Sequence, residues 1–208
     1  MKRTIVSLLT LGAASGLVWI ALTSFSPGSW IARWAPCPRN WGWAPAWLPR
    51  PSALAAVPID LDHGHAKLCY GRPSLRGRRM IGGEAVPYGR LWRTGANEPT
   101  TLHVDVPVRV GPLDLLPGSY SIYTVPDLLT WTVVLNRSTR QWGLESEYTE
   151  EIARQEVGRF VVPAVVLDQP VETLEASAVP AATGAVDLVL AWQTTRIRIP
   201  IEVVYAPE

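Results

Sequence analysis

The residues best suited to chemistry gather in one short run, YGRLWRTGANEPTT, residues 88–101. Arg93 can hold a carboxylate or phosphate, Asn97 can donate to an oxyanion, and Glu98 can act as a general base. No nucleophile or second catalytic carboxylate stands beside them in sequence, so a catalytic reading needs distant partners such as His103 or Arg78. The same residues suit a binding surface or a shaped structural corner. Gly89 and Gly95 permit backbone angles that other residues avoid. Pro99 biases Glu98 toward extended geometry just before a strand that starts at Thr100. In the corner reading Arg93, Asn97 and Glu98 bond one another or nearby backbone, and a buried Arg–Glu pair fixes the shape without adding great stability.

Other candidates are weaker. His63 and His65 form an H-x-H pair whose side chains share one face if both lie on a strand, a spacing used by metal sites. A third ligand, His103 or Glu98, would have to come from elsewhere, and no metal or cofactor is assigned. Cys37 and Cys69 are the only cysteines. Outside the cytoplasm they could form a disulfide between the linker and the first core strands; the alternative is two unpaired thiols. The basic run GRPSLRGRR carries Arg72, Arg76, Arg78 and Arg79, which could meet lipid headgroups or an acidic partner patch, or form a solvated turn. It lacks the spacing of a phosphate loop, and no G-x-S-x-G, H-E-x-x-H or C-x-x-C motif is present.

These residues sit in a chain of 208 residues with 48% hydrophobic and 18% charged residues, ten Trp, nineteen Pro and a net charge of +1. Such a balance selects neither nucleic acid nor an acidic partner through a long-range field. From Thr4 to Phe25 there is no charge, and at 1.5 Å per residue the run reaches about 33 Å, enough to cross a bilayer core. We read residues 1–25 as a single transmembrane helix. A cleaved signal peptide is the rival, but the run is long and no small-x-small cleavage site follows it. Lys2 and Arg3 favour a cytoplasmic N-terminus, although Arg33, Arg39 and Arg50 weaken that bias. The remainder would then lie in the periplasm, beside a bacterial inner membrane.

Residues 26–57 read as a membrane-proximal linker. Six prolines forbid a continuous helix or central strand. Trp30, Trp34, Trp41, Trp43 and Trp47 make it adhesive, as at bilayer headgroups or a protein interface. Residues 58–208 show period-two patterns at 65–71, 100–110, 118–125, 131–136, 171–178, 185–192 and 196–205. Only 148–156 looks helical, with Thr149 as N-cap and Glu150 and Glu151 in the first turn. The expected fold is all-β, an antiparallel β-sandwich of about eight strands with one short helix.

Taken together, Y-G-x-P-S-x-x-G-R, then V-P-Y-G-x-x-W-R-T-G-A-N-E-x-T-T, L-P-x-G-x-Y-S-x-x-T-x-P, W-T-x-x-x-N and Q-W-G resemble the DUF2911 family, a bacterial domain of unknown function. The resemblance spans about residues 58–204. It implies an exported, β-rich domain and brings no reaction with it. The positions on its motifs are Trp92, Arg93, Thr94, Gly95, Ala96, Asn97 and Glu98, with Arg76, Arg78, Asn136 and Trp142. The membrane anchor, the Trp-rich linker and the 150–167 region depart from the family pattern.

Two functions follow as expectations. The first is a non-catalytic, membrane-anchored accessory subunit, docked on the periplasmic face of an integral membrane protein complex. A chain of this type looks like an accessory subunit of large assemblies, a photosynthetic reaction-centre–light-harvesting complex being one setting. Its partners would be the lipid bilayer and that complex, with no nucleic acid. The alternative is a periplasmic small-molecule-binding domain or hydrolase using Arg93, Asn97 and Glu98.

Overall fold

A computed structural model of the chain describes residues 27–39, 50–142, 144–181 and 184–204. The transmembrane helix expected over 1–25 and the tryptophans Trp41, Trp43 and Trp47 lie outside these. Among the described residues no helix is long and apolar enough to cross a membrane.

The fold is all-β. Among the described residues nine antiparallel strands form one continuous hydrogen-bonded order, β1-β2-β3-β6-β7-β8-β9-β4-β5. They are β1 (Ala53–Leu61), β2 (Gly64–Arg72), β3 (Thr100–Val104), β4 (Val108–Val110), β5 (Leu113–Leu115), β6 (Gly118–Pro126), β7 (Thr130–Asn136), β8 (Glu156–Pro180) and β9 (Val186–Val203). The sheet curls until the chain just after β2 meets β8. There Leu75 N and Leu174 N donate to Glu172 O and Pro73 O, and Ser74 pairs with Thr173. The concave side holds the core, with Ile59, Leu68, Leu102, Ile122, Leu135, Leu188, Ile197 and Ile199 at most 1% exposed. Burial of such side chains is the dominant favourable term in folding.

The strand pattern differs from expectation where local chemistry interrupts or fuses a run. The run 100–110 is two strands, because Pro107 cannot donate to a ladder; β3 pairs with β2 and β6, whereas β4 pairs with β5 and β9. The runs expected at 185–192 and 196–205 are joined in one strand, β9, which ends at Val203 and is kinked at Gln193 with a φ of 53°. The amide of Gln193 accepts from Met80 N and Ile81 N, which holds the kink. The run 171–178 is the far half of the 25-residue β8, whose register shifts between Val166 and Val171 and again before Glu175. Pro170 falls in the first shift, where its missing N–H breaks no regular pair.

The helix expected at 148–156 is a single turn. Thr149 does cap it, its hydroxyl accepting from Ile152 N, but the helix ends at Ala153 and β8 has begun by Glu156. A second short helix, α1 (Pro27–Arg33), forms inside the segment read as linker; the turn at Thr149 is α2 (Glu150–Ala153). Proline is tolerated at a helix's first position because that N–H has no partner in any case. The last residues of the same segment, Ala53–Val57, belong to β1.

Candidate functional site

The motif loop is an excursion from a strand. Trp92 and Thr124 exchange backbone bonds at 2.7 and 2.8 Å, and Thr100 pairs with Ile122 two residues along β6. Between those two rungs, residues 93–99 leave the ladder and return, closed by Thr100 N donating to Arg93 O at 3.0 Å. Thr94 and Asn97 take left-handed φ values of 57° and 67°, costly for a β-branched residue such as Thr94. The surroundings hold it there. Thr94 Oγ1 donates to Thr124 Oγ1 at 3.1 Å, and Thr100 Oγ1 donates to Thr94 O at 2.7 Å. Gly95 is not among the positive-φ residues; its role is close approach. A Cβ there would lie 3.0 Å from Gly71 O, and one on Gly71 would lie 2.0 Å from Ala96 O. The two glycines let the loop rest directly on β2.

Glu98 does not pair with Arg93. Its partner is Arg50, which enters from the segment before β1 and binds the carboxylate through two nitrogens at 2.6 and 2.8 Å. Both side chains are buried, at 2% and 7% exposure. Arg93 instead directs Nη1 to two backbone carbonyls, Asn97 O at 2.6 Å and Trp142 O at 2.9 Å. Burial pulls its pKa down, while Glu147, Tyr123 and Glu98 oppose that. Asn97 Nδ2 reaches back to Ser52 O at 3.2 Å, and Trp92 Nε1 donates to Gly95 O at 3.1 Å. Thus Glu98 and Asn97 both hold the stretch of chain that leads into β1.

The same segment is fastened further along. A disulfide joins Cys37 to Cys69 of β2. Lys67 Nζ donates to Ile31 O and Ala35 O at 2.7 and 2.9 Å, where α1 ends; a cation there meets carbonyls that have no helical partner. Arg33 pairs with Asp105, whose carboxylate also accepts from His65 N at 2.6 Å. Gly28 lies so close to Gly118 that a Cβ would come within 2.3 Å of its carbonyl carbon.

The remaining candidates do not converge. His63 occupies the β1–β2 turn with a φ of 59° and lies beside Asp62, whereas His65 is on β2 beside Asp105. The pair therefore does not present one strand face. Among the described residues no three His, Cys, Asp or Glu gather as a metal site. The arginines of 72–79 brace backbone of β8, of the chain before β1 and of their own turn. Arg72 Nε donates to Leu174 O, Arg76 Nη2 to Pro51 O, and Arg78 Nε to Leu75 O. Trp30 and Trp34 are 54% and 77% exposed.

Beneath α1 lies a cavity of about 160 Å³ lined by Cys69, Glu98, Thr101, His103 and Ser119. Lys67, His103 and Ser119 are successive cross-strand neighbours on β2, β3 and β6. His103 Nδ1 bonds Ser119 Oγ at 2.8 Å, and Nε2 has no partner among the described residues. Burial first, and then the Lys67 ammonium, hold the imidazole down at about 4. An imidazole so weakly basic is a poor general base at neutral pH, and the nearby Glu98 is held by Arg50.

Sequence reasoning missed Arg50 as the partner of Glu98 and missed the Lys67–His103–Ser119 row. It also missed Trp192, which stacks on Trp92 with ring centroids 5.6 Å apart. Arg50 and Glu98 are separated by 48 residues, and nothing local ties them. The row is visible only once β2, β3 and β6 are in register.

A family model described as a protein of unknown function, DUF2911, matches residues 52–201, well over half of the chain. No curated protein and no solved structure matches it.

Proposed function

The chain belongs to the DUF2911 family, and on that premise we propose that it is a non-catalytic docking subunit whose N-terminal segment anchors it to a membrane assembly. One observation carries this reading: two of the three chemistry-bearing residues of the family motif, Glu98 and Asn97, hold that segment. Glu98 grips Arg50 and Asn97 grips Ser52 O, so neither is poised toward a substrate. The disulfide, Lys67 and Asp105 fasten the part nearer the N-terminus. Fastening at so many points suits a domain that must keep a set orientation to whatever precedes Pro27.

What precedes Pro27 is the uncharged run from Thr4 to Phe25, long enough for a bilayer span. We place the domain outside the cytoplasm, where a disulfide persists. Trp30 and Trp34, exposed on and just after α1, suit the headgroup layer or an integral membrane partner. A photosynthetic reaction-centre–light-harvesting complex is one assembly in which such a subunit would serve. The hydrolase alternative has little support, since its proposed base is ion-paired and buried.

The test is extraction of native membranes in mild detergent. The chain should migrate with a large assembly and co-purify with stoichiometric integral membrane proteins. A wholly monomeric extract, or recovery in the soluble fraction, overturns the reading.

A further inference from the structure

The motif loop has a second side. An open groove of about 450 Å³ runs between it, the Pro73–Pro87 segment and Leu144, with Trp92 and Trp192 among its lining residues. Through Met80, Glu84 and Ala85 it continues into a cleft of about 440 Å³ beside Arg78 and Arg79. The volume is that of a small-molecule site, and the lining mixes apolar side chains with the polar groups Glu84, Arg93 and Ser146. Arg93 is among the lining residues. Only its Nη1 is engaged, on Asn97 O and Trp142 O; among the described residues Nε and Nη2 donate to no protein atom. Those two N–H groups form the planar fork that a carboxylate accepts through both oxygens. The Trp142 and Asn97 carbonyls hold the guanidinium by its other nitrogen, so the fork is oriented before a ligand arrives. Glu84 is the acidic side chain among the lining residues, Glu147 also acts on the Arg93 charge, and Arg78 and Arg79 line the adjoining cleft.

We propose that this groove binds a small carboxylic acid with a flat hydrophobic body, its carboxylate on the Nε–Nη2 edge of Arg93 and its body along the apolar wall at Trp92 and Leu144. The site does not depend on the docking role, and either can fail without the other. It is tested on the full-length chain in non-ionic detergent, with 3-phenylpropionate as probe and 3-phenylpropan-1-ol as its neutral counterpart, by calorimetric titration. The acid binds and the alcohol binds at least about tenfold more weakly, the difference a charge-assisted bond makes. Arg93→Met removes that preference. Should this variant fail to fold, Ala85→Trp decides the matter: Ala85 is exposed, so the indole fills the groove without disturbing the core, and binding of the acid falls at least about tenfold. Absence of binding by the acid, equal binding of acid and alcohol, or unchanged binding in Ala85→Trp each overturns the proposal.

Discussion

The Arg50–Glu98 pair decides whether the motif is a lock or a site. Both side chains are buried and the contact is bidentate, so removing one charge leaves the other without compensation. Glu98→Gln should lower stability by about 3–5 kcal/mol, measured as a shift in denaturant midpoint at unchanged slope. Replacing both residues, Arg50→Met with Glu98→Leu, should recover most of the loss, because an apolar pair of similar volume carries no desolvation penalty. A Glu98→Gln chain as stable as the parent would mean the carboxylate is free for another purpose. His103 makes a separate statement about pH. Its imidazole sits at about 4 in the fold against 6.5 ordinarily, so between those values the unfolded chain binds a proton that the folded chain does not. Stability from this group therefore rises with pH across that window, by at most about 1.4 kcal/mol per pH unit. It is unaffected above 6.5 and fully penalised below 4. The difference between parent and His103→Gln, followed by denaturation from pH 4 to 7, should carry that slope; a difference that stays flat refutes the burial of the imidazole as described.

At the scale of elements, α1 is a helix of seven residues, too short to persist alone in water. It exists because β2 holds it, through the Cys37–Cys69 disulfide and the Lys67 ammonium. Replacing both cysteines by Ala should cost about 2–4 kcal/mol. Amide exchange should then rise in Pro27–Arg33 long before it rises in β6 and β7, since those strands have their own ladder. Equal protection of α1 with and without the bridge would show that packing on Gly118 and Lys67 suffices. The elements also show what sequence could and could not tell. Strands β2, β6 and β7 were legible because alternation and turn residues bound them on both sides. The length of β8 was not, since its bulges hide a continuous strand inside a pattern that breaks phase. The lock was half legible. The motif, the strand after Pro99 and the buried Arg–Glu pairing could be anticipated, but the arginine was the wrong one. Arg93 is local and Arg50 is not, and sequence proximity says nothing about which guanidinium the curled sheet delivers. Gly95 was assigned a backbone angle when its function is to admit Gly71.

Among the described residues exposed apolar side chains gather at both ends of β6, which measures the distance between them. Its first residue, Gly118, meets Gly28 of α1, near exposed Trp30, Trp34 and Leu116. Its last residue, Pro126, leads into the turn where Leu128 and Leu129 are 65% and 77% exposed. There Ala164 N donates to Leu129 O, bringing exposed Val165 and Val166 of β8 alongside. A strand of nine residues separates the ends by about 27 Å, close to a Debye length times three at physiological salt and far beyond any shared contact. If the chain is anchored by the run before Pro27, the α1 end faces the membrane and the Leu128–Leu129 end points away from it. Trp30→Ser with Trp34→Ser should then weaken retention of the chain in the detergent-extracted assembly, at little cost to folding, because both side chains are largely exposed. Leu128→Ser with Leu129→Ser should leave retention unchanged. The reverse result would mean that the domain is held by its distal turn, with α1 facing solvent, and the anchored orientation would have to be abandoned. Loss of retention in both variants would place the domain between two partner surfaces, gripped at each end of β6.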